Sequence, residues 1–332
     1  MFTLYRTTLA IFCLASLLPL GAQAADTEKT EAATEAAAPA PRPALAERSQ
    51  DDALALERQA PKAEQQTLQA NGENFLALWK PANDSDPKGA VIIVPGAGET
   101  ADWPNTVGPL RRGFPDVGWH TLSLSLPDLL AERPQARVEA KPAAAAQKPE
   151  GESAPAKDTP ADANANVAQA TAAEADAAES TDAVEADEHS DQADAERIFA
   201  RLDAAVAYAQ QQKARSIVLL GNGSGAYWAA RYLSEKQPPQ VQKLVMVGAQ
   251  TPARVEQDLQ SLTPTLKVPT ADIYFAGRPQ DNQAAQQRLQ ASKRQKDSQY
   301  RQVSLMAMPG NKAAEQEQLL RRVRGWLTPK EE

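Results

Sequence analysis

Short apolar runs bounded by Gly, Pro and Asn recur along the chain and alternate with longer stretches whose apolar residues share one helical face. Residues 65–80, QQTLQANGENFLALWK, place two short strands around Asn71-Gly72, a dipeptide that tolerates positive φ and is a strong hairpin signal. GAVIIVPG, from Gly89 to Gly96, is an unbroken apolar run closed by Pro and Gly, the pattern of a strand covered on both faces. WHTLSLSLP, from Trp119 to Pro127, is a further strand with Leu122, Leu124 and Leu126 in alternation. SIVLLG (Ser216 to Gly221), KLVMVG (Lys243 to Gly248), ADIYFAG (Ala271 to Gly277) and RQVSLMAMPG (Arg301 to Gly310) continue the series.

Between these runs the period changes. From Asp194 to Gln212, Ile198, Leu202, Ala205, Val206 and Ala209 line one face of a helix, with Asp194 and Arg197 suited to its start. A second helix begins near Gly225, and AAEQEQLLRRVRGWL closes the chain with Leu319, Val323, Trp326 and Leu327 on one face. A hairpin followed by alternating buried strands and amphipathic helices predicts an α/β fold, a doubly wound, mostly parallel sheet. Right-handed crossovers in such a sheet put a binding site outside the carboxyl ends of the strands.

Composition removes much of the 332 residues from the core. Residues 25–48 are an Ala/Pro-rich linker, and residues 134–193 are similarly poor in large apolar side chains; neither can bury enough surface to offset the entropy of ordering its backbone, so both are expected to be disordered. The folded domain then comprises residues 49–133 and 194–330. Between Asp158 and Glu196 there are twelve Asp or Glu and no Lys or Arg, a charge of about −12 against −8 for the whole chain. Acidity therefore belongs to the insert, and the rest of the chain is slightly basic. No basic stripe or stacking platform supports nucleic-acid binding.

The first 24 residues read as an export signal: Arg6, an apolar stretch from Leu9 to Leu20, and the small-x-small site Ala22-Gln23-Ala24. That stretch of about twelve residues is short of the roughly 20 that span a bilayer, so no transmembrane segment is expected after cleavage. The one cysteine, Cys13, lies inside the signal behind bulky Phe12, so the mature chain from Ala25 has no thiol, disulfide or cysteine metal site.

Three stretches carry a resemblance. IVLLGNGSGAYWAARYL resembles the strand, elbow and helix of the α/β-hydrolase superfamily, AVIIVPGAGETADWP its oxyanion-loop strand, and MPGNKAAEQEQLLRRVRGWL its last strand and closing helix. With Asp102-Trp103-Pro104, Gly118-Trp119, Thr121-Leu122 and Leu126-Pro127, the chain is similar to a bacterial family of exported α/β-hydrolase-like proteins without an assigned function. The resemblance spans roughly residues 48 to 330 outside the insert and implies a periplasmic protein.

A serine hydrolase of this kind needs a nucleophile on the elbow, a histidine base, an acid to orient it, and backbone donors for the oxyanion. Aligning the Gly-x-Ser-x-Gly elbow on Gly221 and Gly225 puts Gly223 at the nucleophile position and leaves Ser224 one residue late. The alternative register, Asn222-x-Ser224-x-Ala226, makes Ser224 the nucleophile; a helix-start hydroxyl is the structural alternative for the same residue.

Histidine is the harder requirement. The loop after the last strand, Pro309 to Ala313, has none. His120 starts its strand, about six residues or roughly 20 Å from the carboxyl end, and His189 lies in the acidic run. Asp281, in RPQDN, stands where the superfamily's acid falls, or else caps a turn; Lys312 is a base only if burial lowers its pKa; Glu99 has no identified partner. Gly96, Ala97 and Gly98 can offer backbone amides to an oxyanion or other anion. No ligand spacing suggests a metal and no Gly-rich or Walker motif suggests a nucleotide, so no cofactor is expected.

Three functions stay open. The first is a catalytically degenerate protein binding a small ligand or envelope partner, the second a serine esterase or peptidase in which Ser224 works with Lys312, Glu99 or Asp281, and the third an envelope spacer acting through its insert.

Overall fold

The computed structural model describes residues 47–130 and 168–328 apart from positions 278 and 297, with the backbone alone for 168–189. The expected signal, most of the linker and the first part of the insert, to residue 167, lie outside the described residues.

Eight strands form one sheet: β1 (Gln65–Ala70), β2 (Glu73–Lys80), β3 (Gly89–Val94), β4 (Trp119–Leu124), β5 (Ile217–Asn222), β6 (Val241–Val247), β7 (Thr270–Ala276) and β8 (Tyr300–Met306). Their spatial order is β1-β2-β4-β3-β5-β6-β7-β8. β2 pairs antiparallel with β1 and β4, and the remaining pairs are parallel. Asn71 and Gly72 close the hairpin at φ 50° and 81°, the double positive φ that the turn signal anticipates.

All six residues of β3 are buried because the sheet is covered on both faces. Ala90, Ile92 and Val94 pack with Leu219, Leu244 and Trp228 on one side, under α3 (Ala168–Gln211) and α4 (Ser224–Glu235). Val91 and Ile93 pack with Leu220, Val245 and Ile273 on the other, against α2 (Val107–Gly113) and α7 (Lys312–Leu327). Period-2 alternation thus sorts one strand into two cores.

The chain also forms α1 (Arg48–Gln59), α5 (Leu259–Leu262) and α6 (Pro279–Lys293), and of these α6 carries no stripe of large apolar residues. In α6 the buried residues are Ala285, Arg288, Ala291 and Ser292. Its anchor is an ion pair, Arg288 Nε to Asp272 Oδ2 at 2.8 Å, joined by the Tyr300 hydroxyl donating to the same carboxylate.

The helix expected to start at Asp194 instead runs from Ala168. The folded part begins before that residue: Asp191 is 3% exposed, its Oδ1 accepts from Arg231 Nη1 at 2.6 Å, and its Oδ2 accepts from the Glu256 amide at 3.2 Å. A carboxylate held by partners so distant in sequence leaves no local signature, which is why the acidic run conceals it.

Candidate functional site

The parallel strands deliver their carboxyl ends to one edge, where β5 turns abruptly into α4. The turn is possible only with glycine at two places. A Cβ on Gly221 would stand 2.3 Å from Ala226 Cα, and one on Gly225 would stand 2.2 Å from the Pro95 carbonyl oxygen. Between them Gly223 sits at φ 55°, ψ −122°, where a Cβ would meet nothing within 4 Å. This is a sharp strand-to-helix turn, the elbow, with Gly223 at its apex and Gly221 and Gly225 on either side. The apex points an absent side chain into open space. Backbone bonds hold the apex: the Gly223 amide donates to the Val247 carbonyl at 2.9 Å and its carbonyl accepts from the Gln250 amide at 3.0 Å.

Ser224 follows the apex as the first residue of α4. Its Oγ accepts from the Ala97 amide at 2.7 Å, across the gap between the two loops, and does not cap its own helix. The amide of Gly96 donates to Glu99 Oε2 at 2.7 Å. Two amides expected to be open to an anion, Gly96 and Ala97, therefore already have protein acceptors. Gly98, at φ 72°, lies beside the Arg48 guanidinium, whose Nη2 would be 2.7 Å from an added Cβ.

Glu99 is fastened from both sides. Asn222 Nδ2 donates to its two carboxylate oxygens at 2.9 and 2.8 Å, tying the oxyanion-type loop to the residue before the elbow apex. Burial pushes the Glu99 pKa above its ordinary 4.5, while the bonds from Asn222 and Gly96 pull it partly back. No local pattern in the sequence announces this clasp, because its two residues stand 123 apart.

These groups open onto a cleft of about 580 Å³ whose walls include Trp103, Asn105, Thr106, Gln250, Phe275 and Gln316. Asp102 anchors the Trp103 segment by accepting from Arg111 Nε at 3.0 Å and Arg112 Nη1 at 2.6 Å, and Arg111 also pairs with Glu64. A second cavity of about 320 Å³ lies on the far side of the 96–100 loop, bounded by Asp52, Ser125, Asp128 and Trp228.

The other candidates fall differently. Lys312 lines the cleft as the exposed first residue of α7. Asp281 is in the first turn of α6 and is absent from the cleft wall. His120 lies near the amino end of β4, the opposite edge of the parallel strands. There it stacks on Trp79 at 5.0 Å and its Nδ1 accepts from the Ala82 amide at 3.0 Å. Burial lowers its pKa. His189 falls on α3, where only the backbone is described. Among the described residues, no group of His, Cys, Asp and Glu is placed to hold a metal ion, and no helix is long and apolar enough to cross a membrane.

The fold matches a candidate dienelactone hydrolase from Klebsiella pneumoniae at TM-score 0.50 and 14% identity, over 79% of this chain and 96% of that one. An esterase from Pyrococcus furiosus matches at TM-score 0.48 and 13% identity, over 79% and 90% of the two chains. The esterase domain of a Rhodothermus marinus protein matches at 0.47 and 12%, over 79% and 96%. The first of these likenesses gives the α/β-hydrolase fold. No curated protein matches the sequence. The model of a family described as protein of unknown function (DUF3530) matches residues 6–329.

Proposed function

The chain belongs to this family of unknown function (DUF3530), and we propose that it uses the α/β-hydrolase cleft to bind a ligand without cleaving it. One observation carries the proposal: the sharp strand-to-helix turn after β5 has at its positive-φ apex Gly223, which has no nucleophilic atom. Covalent catalysis at an elbow needs a side chain there, activated by a base that is oriented in turn. The segment between β8 and α7 where a histidine would stand runs Ala307 to Asn311 without one, and His120 serves a structural contact elsewhere. Fold likeness to esterases does not supply the missing chemistry, because this architecture carries many functions.

Export belongs to the same proposal. Arg6, the apolar stretch from Leu9 and the Ala22-Gln23-Ala24 site support a signal cleaved before Ala25 and a periplasmic protein. Sequencing the amino terminus of the protein recovered from the periplasmic fraction checks this, with Ala25 expected as the first residue.

The test of the binding reading is labelling with a fluorophosphonate serine probe. The folded protein is expected to remain unlabelled, like Ser224→Ala and a heat-denatured control. Labelling that disappears in Ser224→Ala would favour the competing serine-hydrolase reading, in which Ser224 leaves the Ala97 amide and attacks.

A further inference from the structure

We infer that the ligand of the cleft is a neutral oligosaccharide, a deepening that rests on the binding reading above. The first ground is charge. Among the groups lining the cleft, two are carboxylates, Glu99 and Glu315, and one is a cation, the exposed Lys312. The carboxylates are held by the Gly96 amide and by the Met308 amide at 2.9 Å, and the excess of negative charge opposes a phosphate or carboxylate ligand.

The second ground is the chemistry of the remaining wall. Asn105, Thr106, Gln250 and Gln316 bring uncharged groups that both donate and accept, and the partly buried Trp103 and largely buried Phe275 add apolar surface to the wall. A sugar ring has that same duality, hydroxyls around its rim and C–H groups on its faces. Gln316 is especially telling, because its Oε1 is buried without a hydrogen-bond partner. Turning that amide into the cleft to meet a ligand hydroxyl breaks no bond at that oxygen and removes an unpaired polar atom.

The third ground is strain. Thr106 adopts φ 64°, ψ −67°, and the Val107 amide donates to the Asn105 carbonyl at 2.7 Å, a tight three-residue turn. A β-branched residue is an outlier at positive φ, at a cost on the order of 1–3 kcal/mol. Strain of this kind is retained where it aims side chains, and here it fixes Asn105 and Thr106 on the cleft wall.

Calorimetric titration of the full-length exported protein with cello-, malto- and N-acetylglucosamine oligomers tests the inference, beside a neutral tetrapeptide and a short carboxylate. At least one oligosaccharide is expected to bind, with the tetrapeptide and carboxylate inert. Trp103→Ala is expected to weaken binding on the order of tenfold. Gln316→Leu, which keeps the bulk and removes the amide, should weaken it several-fold with a melting temperature no lower than that of the wild type. Binding of the tetrapeptide or carboxylate in place of the sugars, no sugar binding at millimolar concentration, or sugar binding indifferent to both substitutions overturns the saccharide assignment and leaves the binding reading standing. Ser224-dependent turnover of an ester would instead strike at that reading itself.

Discussion

The amide of Ala97 donates to Ser224 Oγ at 2.7 Å, so the hydroxyl that follows the turn apex occupies a backbone donor of the loop after β3. The hydroxyl is spent as an acceptor for a backbone donor. Ala97 is exposed, and water can take over that bond. Ser224→Ala should therefore change stability by no more than about 0.5–1.5 kcal/mol. Urea denaturation of both proteins measures the difference. A collapse of folding on this substitution would mean that the hydroxyl organises the loop, a larger role than one exchangeable bond supports.

The three elbow glycines make a graded prediction. Gly223→Ser places its Cβ in open space, and the cost is that of holding an L-residue at φ 55°, about 1–3 kcal/mol. Gly225→Ala drives a Cβ to 2.2 Å from the Pro95 carbonyl, and Gly221→Ala to 2.3 Å from Ala226 Cα, both backbone atoms that cannot step aside. Each of those should cost more than about 4 kcal/mol or prevent folding. Denaturant midpoints decide the order. Gly223→Ser matching or exceeding the other two in cost would mean that the apex is not where the elbow geometry puts it.

What the sequence made legible was whatever is periodic or local. The strands could be read because β3 and its neighbours are buried on both faces, and the sharp turn after β5 because it needs closely spaced glycines. Helix α6 escaped because an alanine surface and the Arg288–Asp272 pair replace an apolar stripe. The Glu99–Asn222 clasp joins residues 123 apart, and the turn at 105–107 puts a threonine, Thr106, at the position where positive φ usually selects Gly or Asn. Contacts of that kind arise from tertiary structure, and no window of sequence contains them.

The ion pair of Asp191 and Arg231 holds the middle of α3 to α4, with side-chain exposures of 3% and 10%. Removing one partner strands a buried charge. Arg231→Met is expected to cost about 3–5 kcal/mol, whereas Asp191→Leu combined with Arg231→Met should recover much of it, short of the bond from the Glu256 amide. A double-mutant cycle by chemical denaturation measures the difference. If the single and double variants were equally unstable, loss of packing rather than loss of charge pairing would be the cause.

Glu99 makes the stability of the site depend on pH, with a sign that differs from the usual carboxylate. Its pKa is raised above 4.5 in the folded protein by burial, so the folded state holds the proton more tightly than the unfolded chain does. Between 4.5 and that raised value the native state binds more protons, and stability contributed by this group falls as pH rises. Below 4.5 both states are protonated and its contribution is fully present; above the folded pKa it is lost. Glu99→Gln cannot ionise, yet it keeps a carbonyl oxygen to accept from the Gly96 amide or from Asn222. The stability of wild type relative to Glu99→Gln should therefore decline as pH climbs from 4.5 through the mildly acidic range, then level off. Urea titrations of the two proteins at a series of pH values supply the comparison, and a difference that grew with pH would place the Glu99 pKa below its ordinary value and the Asn222 bond above burial in strength.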